Sequence, residues 1–118
     1  EAFRRDDNWL VRRSIMAPVY EMQSPDAIFK ICAIGLNDED LTVKEVAIDG
    51  FGLLANTDKQ ATALEQLLPL VSDDSWRIRL RVARALSKFD NPQAQAAVSY
   101  LAKDPDHRVA GATLEASL

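Results

Sequence analysis

The chain has 118 residues, of which 47% are hydrophobic and 27% charged, and its formal net charge is -4. That length supports one domain with one core; its short apolar runs, broken by charge, leave no stretch to span a bilayer and no secretory leader pattern. The negative balance disfavours nucleic acid, whose phosphates it would repel unless the bases gathered on one face. The single cysteine, Cys32, can make neither an internal disulfide nor a thiolate metal site, so a reducing, cytoplasmic setting is expected.

Glu1 to Arg5 opens without a methionine, which suggests a segment of a longer array. Asp7 or Asn8 can cap a helix starting near Trp9, and Trp9, Leu10, Ile15, Met16, Val19 and Met22 recur at helical spacing. Pro18 inside it would remove one backbone hydrogen bond and bend the helix. Ser24 and Pro25 form a restart, N-cap then first helical residue, and this second helix runs to about Leu36. Asn37-Asp38-Glu39-Asp40 is an acidic turn suited to a helix N-terminus. The helix that follows carries Val43, Val46, Ala47, Phe51 and Leu54, with Gly50 and Gly52 near its end. Glycine costs a helix about 1 kcal/mol against alanine, so close packing against a neighbour is expected there. After a turn at Asn56-Thr57-Asp58, one helix is expected from Gln60 to Val71, burying Leu64, Leu67, Leu68 and Val71. Ser72 to Leu101 then reads as acids, an amphipathic helix, a turn at Asp90-Asn91-Pro92 and an Ala-rich helix, and a last helix is expected over Pro105 to Ala116.

These pieces repeat. Val11, Val43, Ile78 and Val109 stand 32, 35 and 31 residues apart. An Asp lies five residues before each anchor (Asp6, Asp38, Asp73, Asp104), and a base follows three of them (Arg12, Lys44, Arg79), with Ala110 the exception. Seven residues after each anchor stands Pro18, Gly50, Ala85 or Ala116, all small or compact. A period in this range marks stacked helix pairs, none of which can bury its apolar face alone. The fold expected is all-α, an α-solenoid in one domain over 1–118, with units at 6–36, 37–71, 72–101 and a partial unit at 102–118.

Asp7-Asn8-Trp9-Leu10-Val11-Arg12 and Asp74-Ser75-Trp76-Arg77-Ile78-Arg79 share an acid, a tryptophan and a branched residue before arginine. With the Asn-Pro turn and Ala-rich second helix, this pattern resembles a HEAT-like repeat, and within that group the phycobilisome lyase variant, closest to the cyanobacterial phycobilisome-degradation proteins. The resemblance spans residues 6–118 and departs from it at Pro18 and Ala110. It implies a right-handed superhelix of antiparallel helix pairs and a non-catalytic scaffold whose client is a phycobiliprotein or phycobilisome component. The alternative it implies is a subunit of a bilin lyase that attaches or detaches phycobilin, the one case in which a cofactor, the bilin, enters. A third reading is a generic scaffold unrelated to pigment.

Within such an array, Asp6, Asp38 and Asp73 would cap their own helices, and Arg12, Lys44 and Arg79 would reach an acid in the next unit. Surface rungs of this kind contribute about 0 to 1 kcal/mol each, so they fix register more than stability. Trp9 and Trp76 would cover the end of the preceding unit. Nothing catalytic or metal-binding is expected: His107 is the only histidine, the repeated His-Glu pairs of di-iron repeat enzymes are missing, and paired acids at helix starts read as caps. Arg77, Arg81 and Arg84 share one helical face that Arg4, Arg5, Arg12 and Arg13 could extend. A solvated outer face is the first reading, an anionic protein the second, and nucleic acid the last, because no aromatics interleave to stack bases.

Aligning Ile28, Ala61 and Ala94 puts Ile31, Leu64 and Ala97, then Gly35, Leu68 and Leu101, in the core. The exposed row is then Phe29, Cys32 and Ala33, followed by Thr62, Glu65 and Gln66, followed by Gln95 and Ser99. In the resembled fold second helices line the concave face, so this row is the expected partner surface, with Phe29, Cys32 and Ala33 as a sticky patch. A preceding repeat or a homodimer could equally cover that patch. Cys32 itself reads as buried or half-buried filler rather than a catalytic thiol.

Overall fold

In the computed structural model the described residues are 24–117, with side chains through Leu114. The first expected helix, with Asp6, Trp9, Arg12 and Pro18, lies outside them. The described residues form six α-helices and no strand: α1 (Pro25–Leu36), α2 (Leu41–Gly52), α3 (Gln60–Leu67), α4 (Trp76–Leu86), α5 (Pro92–Leu101) and α6 (His107–Ser117), with a 3₁₀ segment at Leu68–Ser72.

Every described helix except α3, which has no side-chain cap, starts where a side chain can satisfy amides that have no partner inside it. Ser24 Oγ accepts from the Ala27 amide at 3.3 Å, Asp40 from Thr42 at 2.7 Å, Ser75 from Arg77 at 3.2 Å and Asn91 from Ala94 at 2.8 Å. Pro25 and Pro92 follow two of these caps, at positions where a missing N–H costs nothing. The repeated Asp is therefore not the cap that the sequence suggests. It stands two residues earlier and accepts from the backbone of the capping position: Asp38 from Asp40 at 2.8 Å, Asp73 from Ser75 at 2.9 Å, Asp104 from Asp106 at 2.9 Å. Each is the short Asx turn that an aspartate makes two residues along the chain.

Two boundaries also differ from expectation. The helix expected over Gln60 to Val71 stops at Leu67 and tightens to 3₁₀, because Pro69 has no amide to donate and its ring crowds the preceding turn. The last helix begins at His107 rather than Pro105, since the carboxylate of Asp106 accepts from the Arg108 amide at 2.9 Å and takes the capping role.

The first helices of successive units stack directly, α2 against α4 and α4 against α6, while α1 lies on α2, and α3 and α5 flank the stack. All three described anchors are core residues: Val43, Ile78 and Val109 are each 2% exposed or less. Phe51, Leu54, Val82, Leu86 and Leu101 fill the space between the layers. The close approach expected from the glycines falls at Gly52, where a Cβ would sit 3.2 Å from the Ala85 Cβ and 3.3 Å from its Cα. Helix α4 cannot come that near a larger side chain without moving its backbone.

Candidate interaction face

The second helices α1, α3 and α5 carry the eight residues read from the sequence as the partner row, and the structure sorts them. Cys32 is fully buried, 0% exposed, which removes it from the row. Helix α1 buries Ile28, Cys32 and Gly35, a stripe at i, i+4 and i+7, so Ile31 is only half-buried and Ile34, 73% exposed, is the apolar residue that faces out. Phe29 is half-buried, its ring edge-on to Phe51 with centroids 5.6 Å apart, and Ala33 packs partly against the core. The sticky patch is thus largely an intramolecular contact.

In α3 the expected register slips by one. Ala61 is exposed while Ala63, Leu64 and Leu67 are buried, so Gln60 takes the position matched to Ile28 and Ala94. Its side-chain amide donates to the Ala55 carbonyl at 2.6 Å, which satisfies a polar group that would otherwise be half-buried without a partner. Thr62 and Glu65 are exposed and Gln66 is half-buried. Asp26 on α1 links the two helices, pairing with Lys59 at 3.1 Å and with Lys30 at 3.4 Å. The Lys59 hydrogen bond, then Lys30, holds the Asp26 carboxyl below its usual range.

Gln95 and Ser99, both exposed on α5, come together with residues that the sequence reading did not join to them. They rim an open cleft of about 510 Å³ whose floor is Leu86, Phe89 and Val98 and whose other edge is Ser87, Lys88 and Asp90. Phe89 is 3% exposed, so the floor belongs to the core. The signal for this cleft was the turn itself: an aromatic between Lys88 and Asp90, immediately before Asn91-Pro92.

Residues 30–117, which take in all six described helices except the first five residues of α1, match the family described as HEAT repeats. The chain belongs to the HEAT repeat family. No match was found among curated proteins. HEAT repeats generally act as protein-interaction scaffolds, and stacked repeats of this kind present extended binding surfaces. No helix among the described residues of this HEAT-repeat chain is long and apolar enough to cross a membrane. No three His, Cys, Asp or Glu side chains among the described residues come together as a metal site, and His107 is exposed at the start of α6.

Of the arginine face expected to be solvated, Arg77 and Arg81 instead take part in a joint between HEAT units, Arg84 is exposed, and Arg4, Arg5, Arg12 and Arg13 lie outside the described residues. Arg77 grips Glu45 with two bonds of 3.0 Å and reaches Thr42 at 3.4 Å, and Arg81 bonds Asp49 at 2.9 Å. Burial pushes the Asp49 carboxyl above its ordinary value in spite of Arg81. Arg79 does reach the acid of the next unit, bonding Asp104 at 2.9 and 3.3 Å, and it also donates to the main-chain carbonyls of Asp73 and Asp74. Lys44 forms no matching rung with Asp73 among the described ion pairs. Trp76 packs against the core and takes a guanidinium from the following unit on its face, Arg108 lying 3.5 Å from the ring centroid. Arg108 also bonds Asp106 through its side chain, which holds that carboxyl at about 2.

Proposed function

We propose that this chain is a non-catalytic scaffold that binds another protein through the outward face of α1, α3 and α5. The observation that carries the reading is that face itself: Thr62, Glu65, Gln95 and Ser99 stand exposed on successive second helices of a HEAT stack, while Arg77, Arg79 and Arg81 are spent on internal joints. Cys32, named for this row from sequence, has no part in it, and its buried sulfur offers no thiol for bilin transfer.

The client proposed is a phycobiliprotein, and its support is the resemblance of Asp74-Ser75-Trp76-Arg77-Ile78-Arg79 to the phycobilisome lyase signature. Size-exclusion chromatography of the chain with intact phycocyanin, following protein and visible absorbance together, tests it. Co-elution with the pigment still covalently attached after denaturation is the expected outcome. Loss of covalent pigment would move the reading to the lyase alternative, and separate elution well above micromolar concentration would leave a scaffold with a different protein client.

A further inference from the structure

We propose that Ile34 and Tyr100 anchor the two ends of the partner surface, and that it takes an extended segment of the client protein with two apolar side chains, a base between them and an acid beyond the second. This deepens the scaffold reading and rests on it. Once Gln60 is matched with Ile28 and Ala94, Ile34, Gln66 and Tyr100 fall at one repeat position on α1, α3 and α5. Ile34 is 73% exposed and Tyr100 60%, with the half-buried Gln66 between them. The flanking positions agree: Lys30, Thr62 and Ala96 one turn before, and Asn37, Pro69 and Lys103 one turn after, are all exposed. The backbone repeats as well, since the Asn37 amide donates to the Ile34 carbonyl at 3.1 Å and the Lys103 amide to the Tyr100 carbonyl at 3.2 Å. Lys59, at the start of α3, bonds Asp26 of α1 at 3.1 Å, and α5 lies against the 3₁₀ segment that continues α3, so the three helices form one layer.

Two helix spacings separate the anchors, roughly 16 to 20 Å. An extended chain advances about 3.3 Å per residue and turns alternate side chains to one face, so its two apolar residues stand about six apart. Charge sets the direction of the segment. Glu65, exposed beside Gln66 on the middle helix, and Lys103, one turn beyond Tyr100, form no ion pair among the described residues. Lys30, at the Ile34 end, is already paired with Asp26. The segment therefore runs from an apolar residue on Ile34, through a base on Glu65, to an apolar residue beside Tyr100 and an acid on Lys103. Complementary charge of this kind chooses partner and register more than it adds affinity, while the aromatic anchor carries a large share of the binding.

Panning a phage-displayed random peptide library on the immobilised whole chain, then measuring the selected peptides by fluorescence anisotropy, tests both parts. The expected peptides carry the apolar, base, apolar, acid order and lose at least about tenfold in affinity on Tyr100→Ala or Ile34→Ser. Glu65→Lys should weaken them, and a peptide with its base replaced by glutamate should bind that variant better than the original chain. All three positions are exposed, and far-ultraviolet circular dichroism checks that each variant keeps its helices. Peptides that bind the two anchor variants as tightly as the original chain overturn the proposal, and so does a selection without the pattern. Phycocyanin co-elution indifferent to Tyr100→Ala would also remove the anchors while leaving the scaffold standing. Patterned peptides without phycocyanin binding would keep the anchors and change the client.

Discussion

The two joints of the stack, α2 with α4 and α4 with α6, use the same repeat positions in different ways. At the first, Arg77 and Arg81 reach across to Glu45 and Asp49 above the tight approach of Gly52 to Ala85. At the second, Arg108 holds the position of Arg77 yet bonds Asp106 of its own unit and lies over Trp76, while Arg79 locks Asp104 near the loops. The cause is legible one unit back. On α4 the places of Glu45 and Asp49 are filled by Leu80 and Arg84, so Arg108 finds no acid across the joint. A repeat fixes where a side chain stands; its neighbour's sequence decides what the side chain does there.

The largest effect should come at the second joint. The side chains of Asp104 and Arg79 are only 5% and 17% exposed, and breaking a buried pair from one side leaves a charge without compensation. Asp104→Ala should lower the unfolding free energy by about 3 kcal/mol in urea titration. A change within 0.5 kcal/mol, roughly the noise of a surface substitution, would reduce the bridge to a surface contact. Next comes the close approach at the first joint. Gly52→Ala gains about 1 kcal/mol of helix propensity, but the Ala85 backbone is too near to yield, and overpacking costs about 1 to 3 kcal/mol. Net destabilisation of about 1 kcal/mol follows, seen as a lower urea midpoint, and a stabilised variant would show that the helices can part.

Smaller again is the Arg77 grip on Glu45. The arginine side chain is 38% exposed, which screens the pair, so a double-mutant cycle with Glu45→Gln and Arg77→Met should give a coupling of about 1 kcal/mol or less. Raising the salt should shrink it further. The smallest effect is set by pH at Asp106, whose carboxyl is lowered from 3.8 to about 2 by Arg108. Because the folded value lies below the ordinary one, the stabilisation is fully present above about pH 4 and is lost as pH falls through about 2. Acid titration of Asp106→Asn should lack that part of the decline; an unchanged acid limb would place the loss in other carboxylates.

How much of this could be read beforehand depends on how strongly each stretch discriminates its own faces. Helix α4 alternates charge with apolar residues, so Ile78, Val82, Ala85 and Leu86 could point only inward, and they do. The anchors Val43, Ile78 and Val109 were visible for the same reason. Helix α1 carries Ile28, Phe29, Ile31, Cys32, Ala33 and Ile34 almost all the way round, and a helix apolar on every side has its orientation chosen by its neighbours. That is why Cys32, expected to be exposed, is buried, while Ile31, expected in the core, is only half-buried. The slip at α3 has a local cause as well, since Gln60 can accept a half-buried place only because the Ala55 carbonyl stands ready for it. The pairs of Arg77 with Glu45 and Arg81 with Asp49 both span 32 residues. That separation falls among the repeat spacings, so aligning acids against bases one unit apart would have found them.

The Asx turn made by Asp38, Asp73 and Asp104 reaches only two residues along the chain, and the cap that follows it only two or three more. The Asx turn and the cap at each of these corners are thus carried by that unit's own first residues, and at Asp104 the preceding unit adds Arg79. A copied segment running from Asp38 to Ser72 would bring its own punctuation wherever it was spliced. Lengthening or shortening such an array asks nothing new of the corners, and the burden of compatibility falls on the broad sides of the helices.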